Sequence, residues 1–202
     1  MSPTDAAAKI TLKFPAGILG ENDFRGEKTL KLDAPSLRDI CLFAKDDLGF
    51  DYLVDISSVD HFGDEPRFEV VYELYSLPHG THLRLKISVS EDTCEAPTVS
   101  DIWPTANWHE REVYDMMGIR FANHPDLRRI LMWEGYPHHP LRKDFPLEGK
   151  PTDIPDLAFS EVAPLGGGPF VTVPTDGNTQ VREPRARHVG ELPRPEKFIE
   201  EP

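Results

Sequence analysis

Residues 50–89 read FDYLVDISSVDHFGDEPRFEVVYELYSLPHGTHLRLKISV. Three runs in it alternate apolar with polar residues: Phe50, Tyr52, Val54 and Ile56; Phe68, Val70, Tyr72 and Leu74; Leu83, Leu85, Ile87 and Val89. Successive side chains of an extended chain point to opposite sides, so each run is expected to be a strand with one apolar face. The links from His61 to Pro66 and from Ser76 to Thr81 are short and rich in turn residues, which makes an antiparallel meander the expected topology. A hairpin turning about Pro78 and His79 sets Glu73 opposite Arg84 and Glu69 diagonal to Lys86, pairing opposite charges on the solvent side.

A sheet with one apolar face needs a cover. Upstream, Leu37, Ile40, Cys41, Ala44 and Leu48 recur at the spacing of a helix packed on one side, expected over 35–48 with Pro35 in its first turn and Gly49 closing it. The expected fold class is therefore α+β, a two-layer domain with a mainly antiparallel sheet covered by helices. Cys41 lies on the apolar stripe and is expected to be a buried structural thiol. Further out, Ile10-Leu12-Phe14 and Leu30-Leu32 read as short strands separated by a Gly/Asn/Asp-rich connection from Gly17 to Gly26.

Downstream of the linker Glu91 to Pro97, a helix is expected from Ala106 to Met117, with Thr105 as candidate N-cap and Gly118 just past the end. At about 100° per residue, Ala106, Val113, Tyr114 and Met117 share an arc with Trp103, and Glu110 falls inside it. Trp108, Arg111, Glu112 and Asp115 share the opposite side. A short second helix is expected near Asp126, after Pro125, with Leu127, Ile130 and Leu131 inward and Arg128 and Arg129 outward. Beyond Phe145 no apolar period persists, and half of the 20 prolines lie between Pro146 and Pro202. Residues 1–145 thus read as the folded domain and 146–202 as a long extended Pro/Gly-rich tail, with Phe159, Val162, Phe170, Val171, Val173 and Phe198 spaced like anchors on a partner surface.

The net charge of −13 argues against binding a phosphate backbone, whose affinity comes largely from cations that release condensed counterions. Residues 106–145 carry six Lys/Arg and six Asp/Glu, a mixture suited to docking on another protein's mixed charges. The two cysteines, Cys41 and Cys94, have no zinc or iron–sulfur spacing, and Met1 to Lys9 lacks a signal-peptide apolar core, so a reducing, cytoplasmic setting is expected. No apolar run approaches the roughly 20 residues that span a bilayer.

Enzymatic motifs fail one by one. After His109-Glu110 the fifth position of a zinc-binding H-E-x-x-H is Val113. Glu112 and Asp115 at i, i+3 resemble half of a carboxylate metal site, but the second such helix is missing. His138 and His139 stand adjacent in extended backbone, which sends their side chains opposite ways. Glu110 inside an apolar arc must take up a proton or find a cation, and a structural ion pair with Arg128, Arg129 or Arg142 is expected. A stand-alone hydrolase built on Glu110 or Glu112 is the weaker reading, since no nucleophile or phosphate-cradling loop accompanies them.

The run from Trp108 to Ile119 (WHEREVYDMMGI), followed by His124 to Leu131 (HPDLRRIL) and Pro140 to Pro146 (PLRKDFP), closely resembles the signature of the C subunit, also called the thirty-kilodalton subunit, of respiratory complex I, the proton-pumping NADH:quinone oxidoreductase. The resemblance extends from about Phe24 to Pro146 and takes in FDYLVDI, RFEVVY and the entry from Pro97 to Trp103. It implies a subunit with no cofactor of its own, set in the hydrophilic arm against the forty-nine-kilodalton subunit that helps form the quinone pocket. FMN, iron–sulfur clusters and quinone are then held by neighbouring subunits. It further implies peripheral attachment on the cytoplasmic side of the inner membrane, with membrane contact only through the complex. Trp108, Arg111, Glu112, Asp115, Arg128, Arg129, Arg142 and Lys143 become candidate interface residues, and none is a catalyst. Asn123 departs from the glycine common before the His-Pro pair, and the tail after Pro146 is longer than the family core requires. In some members the chain continues into the forty-nine-kilodalton subunit; here that partner is expected as a separate polypeptide. Related membrane-bound hydrogenases and ferredoxin- or deazaflavin-dependent complexes use a homologous subunit and form the alternative.

Overall fold

The structure, a computed structural model, describes residues 1–133 and 135–147. Its centre is the expected meander. Strands β3 (Tyr52–Asp60), β4 (Phe68–Ser76) and β5 (Thr81–Val89) pair antiparallel in sequence order. Glu73 stands opposite Arg84 and is bonded by it, and Lys86 reaches diagonally to Glu69 at 2.6 Å. The cross-strand charges inferred from the alternation therefore meet as expected.

On β3 the apolar face differs from the expected one. The register slips between Leu53 and Asp55, so Leu53 and Ile56 are buried while Tyr52 and Val54 are exposed. One extra residue in a strand inverts the side on which the following side chains lie, and a regular alternation cannot reveal where that residue sits.

Two further strands extend the sheet. β1 (Ile18–Phe24) and β2 (Glu27–Leu32) form a hairpin closed by Arg25 and Gly26, both at positive φ (55° and 82°), the conformation a two-residue turn needs to match strand twist. The stretch read as a connection is thus a strand. β1 lies at the sheet edge and buries almost nothing, so its sequence carries no apolar period. β2 then pairs parallel with β5, placing Leu30 beside Leu85 and Leu32 beside Ile87, and the strand order is β1-β2-β5-β4-β3.

The expected strand at Ile10-Leu12-Phe14 is instead the end of helix α1 (Pro3–Lys13). Ser2 caps it: its hydroxyl accepts from the Asp5 N–H at 3.1 Å while the Asp5 carboxylate accepts from the Ser2 N–H at 3.2 Å. This reciprocal capping, Pro3 in the first turn and the run Ala6-Ala7-Ala8 outweigh three alternating apolar residues. Ala6, Ala7 and Ile10 are buried, whereas Leu12 is 85% exposed.

Helix α2 (Leu37–Asp46) covers the sheet as inferred, burying Leu37, Ile40, Cys41 and Ala44. These pack with Phe50, Phe68, Tyr72, Leu74, Leu83 and Leu85 in one apolar core. Each wholly enclosed Leu or Phe side chain contributes roughly 1.5–3 kcal/mol, which makes this layer the main stabilising term. The domain is α+β with helices over a mainly antiparallel sheet. A small parallel pair, β6 (Glu95–Pro97) with β7 (Arg120–Ala122), brackets helix α3 (Ala106–Met117), and α3 packs on β3. Residues Met1–Phe145 make one compact unit. The expected extended tail, residues 146–202, lies outside the described residues apart from Pro146 and Leu147.

Candidate functional site

Helix α3 carries Glu110, Arg111, Glu112 and Asp115, half of the charged site residues singled out from the sequence. Its C-terminus is set by Gly118 at φ 78°, whose N–H bonds to the Tyr114 carbonyl. A side chain there would also collide with the Arg142 guanidinium and the His139 ring, at 2.6 and 2.7 Å from the position of a Cβ. Glycine is thus required both by the left-handed turn and by the segment laid across it. Ala106, Val113, Met117 and Trp103 are buried as expected, and the Trp103 indole N–H donates to the Phe50 carbonyl at 3.2 Å.

Glu110 is fully buried, but the arginine expected to pin it is absent. Its carboxylate accepts from the Thr98 hydroxyl and from the Val99 N–H at 2.7 Å, and His124 Nε2 lies 3.9 Å away. Among the described residues no arginine bonds to it. Burial pushes the Glu110 carboxyl up to about 7, against the lowering pull of the Thr98 and Val99 bonds. Burial also holds the His124 imidazole below its usual range, so a neutral ring there supplies no counter-charge.

Asp115, expected on the partner-facing side, is instead fully buried. One carboxylate oxygen accepts from Arg129 at 2.6 Å, and the other from the successive N–H groups of Ile130, Leu131 and Met132 at 3.0, 2.7 and 2.9 Å. Burial alone would raise its carboxyl, but the Met132 and Leu131 N–H bonds, Arg129 and the Ile130 N–H outweigh it and hold it below the ordinary carboxylate range. The same bonds replace the helix expected near Asp126. Residues 126–133 form no regular helix, because three consecutive N–H groups converge on a tertiary acceptor. Leu131 is accordingly exposed rather than inward.

The arginines divide between interior and surface. Arg129, expected outward, is largely enclosed as the partner of Asp115. Arg111, also expected outward, is buried along the helix with its Nε donating to the Arg128 carbonyl at 3.1 Å and its guanidinium stacked 4.9 Å from the Trp108 ring centre. Arg128 does point outward, paired at 2.9 Å with Asp126. Arg142 donates to the Met117 carbonyl at 2.6 Å and lies over Phe68, so it seals the end of α3 to the sheet. Lys143 is exposed, while its backbone N–H bonds to Asp60 at 2.8 Å. Glu112 is exposed, as is Trp108 at 63%. His139 Nδ1 lies 3.0 Å from the Asp115 carbonyl, and His138 turns away onto Tyr136 and Phe145, as their adjacency in extended backbone implies.

One buried arginine escapes a reading of the sequence. Arg67, 2% exposed, binds Asp60 through two hydrogen bonds of 2.9 Å and also meets Glu91 at 2.5 Å and Asp144 at 3.1 Å. Its partners are 7, 24 and 77 residues distant, so no local spacing marks them. The cluster fastens residues 143–144 to the sheet. The available signal is an arginine immediately before an apolar strand.

The site residues on and beside α3 are thus mostly committed to bonds within the domain, with Trp108, Glu112, Arg128 and Lys143 left at the surface. Comparison with known proteins agrees with the signature read in the sequence: residues 30–151, more than half of the chain, match the family described as respiratory-chain NADH dehydrogenase, 30 Kd subunit. The chain belongs to this family. Among its relatives, the NADH-quinone oxidoreductase C subunit of Geobacter sulfurreducens is 51% identical over 145 residues, covering 71% of this chain and 90% of that one. The second NADH-quinone oxidoreductase C subunit of Rhizobium meliloti is 50% identical over 143 residues, 64% of this chain and 78% of its own length. In three dimensions, a trypsin-resistant fragment of Nqo5 is 34% identical with a TM-score of 0.55, covering 60% of this chain and 99% of the fragment. A chain of the membrane-bound sulfane sulfur reductase, an archaeal respiratory membrane complex, is 27% identical with a TM-score of 0.62, covering 71% of this chain and 85% of its own. In this member of the family, the three linked motifs carry the buried nests of α3 and the segment closing over Gly118.

Proposed function

We propose that the chain is a structural subunit of the hydrophilic arm of a proton-pumping NADH:quinone oxidoreductase, docked on the forty-nine-kilodalton subunit near the quinone site. It supports electron transfer from NADH to quinone while FMN, iron–sulfur clusters and quinone reside in neighbouring subunits. The observation that carries this reading is the 51% identity to an NADH-quinone oxidoreductase C subunit, over 90% of that relative. The geometry supports it. Asp115, Arg129 and Arg142 spend their bonds on neighbouring backbone and side chains, and Glu110 is sealed from solvent, which leaves no nucleophile and base poised together on α3. Cys41 is enclosed in the apolar core, where burial raises its thiol and disfavours a thiolate ligand. Among the described residues no helix is long and apolar enough to cross a membrane. On this proposal the chain attaches through partners, on the cytoplasmic side of the inner membrane.

The test is to tag the chain in its own host, solubilise the membranes and purify. NADH:quinone oxidoreductase activity and the forty-nine-kilodalton subunit are expected to follow the tag, and the chain alone is expected to show neither visible absorbance nor NADH oxidation. NADH oxidation by the isolated chain, or purification free of large partners, would sink the reading. The likeness to a chain of the archaeal sulfane sulfur reductase favours a second reading, membership of a related membrane-bound complex with another electron donor. Co-purification with membrane subunits that reduce quinone from ferredoxin but not from NADH would select it.

A further inference from the structure

Beside α3 lies an open groove of about 730 Å³ bordered by Trp108, Arg111, Tyr114, Leu127, Arg128 and Tyr136. Two of the arginines on this side of the domain are neutralised within it, Arg128 by Asp126 and Arg129 by Asp115. Arg111 is not. It is 6% exposed, its Nε is occupied by the Arg128 carbonyl, and among the described residues it joins no ion pair and its terminal nitrogens make no hydrogen bond. The residue is largely enclosed and only an edge of its guanidinium reaches solvent, where an incoming carboxylate gains a charge-assisted pair with it. The Trp108 ring that stacks on it remains 63% exposed, although aromatic surface of this size is normally withdrawn from water. Trp, Tyr and Arg around one partly enclosed hollow is the composition of an interface centre.

We propose that this groove receives an acidic, extended segment of a partner subunit, with a carboxylate seated on Arg111 and a neighbouring apolar side chain laid on Trp108. This rests on the subunit reading above and adds the chemistry of the contact. A single cation without an anion among the described residues matches a single carboxylate. A phosphate-bearing membrane or nucleic acid instead needs a cationic field, which the net charge of −13 and the Asp126–Arg128 pair beside the groove do not provide. The uncompensated charge on Arg111 therefore sets the sign of the partner, and Trp108 sets its apolar neighbour.

The experiment places p-benzoylphenylalanine at Trp108 in the full chain, within the assembled membrane complex, and identifies the photo-crosslinked peptide. A partner-subunit peptide with Asp or Glu within a few residues of the attachment point is expected. In the same complex Arg111→Glu is expected to lower the chain retained after a salt wash by about tenfold or more. Replacing the crosslinked carboxylate by arginine should then recover most of the loss, which a folding defect could not do. Arg111→Gln, with its thermal melt, separates lost docking from lost folding: weak retention with an unchanged melt supports the contact. Crosslinks only within the chain or only to phospholipid, a partner peptide without a carboxylate, or a charge swap without recovery would overturn the groove's assignment. A chain that never enters the complex overturns the subunit reading itself.

Discussion

The two ends of α3 each bury a carboxylate completely, and they treat its charge in opposite ways. At the C-terminal end Asp115 faces three backbone N–H groups and an arginine, and stays ionised. Nearer the N-terminus Glu110 faces one hydroxyl and one N–H, with no cation bonded to it among the described residues, and burial raises it to about 7. Burial is therefore a poor guide to the state of a carboxyl; the number and charge of its donors decide. The contrast also assigns roles, since the Asp115 nest organises residues 129–132 whereas the Glu110 nest ties the helix to residues 98–99.

Four substitutions test that contrast. Asp115→Asn offers a single oxygen to a cluster of N–H donors and turns an amide toward Arg129, so a loss of about 3–5 kcal/mol is expected in urea unfolding of the full chain. A loss below about 1 kcal/mol would mean that the nest does not hold the segment. Glu110→Gln has a pH-dependent outcome. The folded carboxyl sits at about 7 against an ordinary 4.5, so between those values the folded chain holds more protons than the unfolded one. The stability Glu110 provides is whole below about 4.5 and is lost as pH rises through about 7, up to roughly 3 kcal/mol. The glutamine variant should match the parent near pH 5 and melt above it at pH 8.5. Depressed carboxyls such as Asp60 and Asp101 are common to both proteins and cancel in the difference. A constant difference across pH would place Glu110 on the same footing as Asp115.

Arg129→Met removes the cation but leaves the three N–H donors, so a smaller loss of about 2 kcal/mol is expected, with residues 130–132 still protected from amide exchange. Protection lost there would show that the arginine, rather than the backbone, carries the nest. Arg128→Glu, next to it in sequence, should change the melt by less than about 0.5 kcal/mol, because its side chain and that of Asp126 are both solvated. Equal losses from these two neighbours would erase the distinction between the buried and the surface arginine.

How far the sequence can be read follows the range of the forces involved. The β4–β5 register, with Glu73 against Arg84, is legible because alternation and a short turn are local. α3 and its glycine stop are legible for the same reason, and so is the burial of Glu110 within an apolar arc. The bulge on β3 and the α1 helix are not, because three or four residues of alternation carry little weight against a capping box or a register slip. Among the site residues, the side of α3 assigned to a partner proves mixed. Glu112 and Trp108 face outward, while Arg111 and Asp115 are enclosed by residues 128–132, which a helical wheel of α3 alone does not contain.

What the sequence by itself determined is the order of elements, the composition of the core and the family, all written in periodicities and in three linked motifs. Only the tertiary structure decided which charges are spent inside the domain. Arg67 finds Asp60, Glu91 and Asp144, Glu110 finds Thr98 and Val99 rather than an arginine, and Arg111 is left with Trp108 and, among the described residues, no anion. Charge pairing depends on distances of a few ångströms between residues far apart in the chain, and those distances exist only once the sheet and its helices have closed.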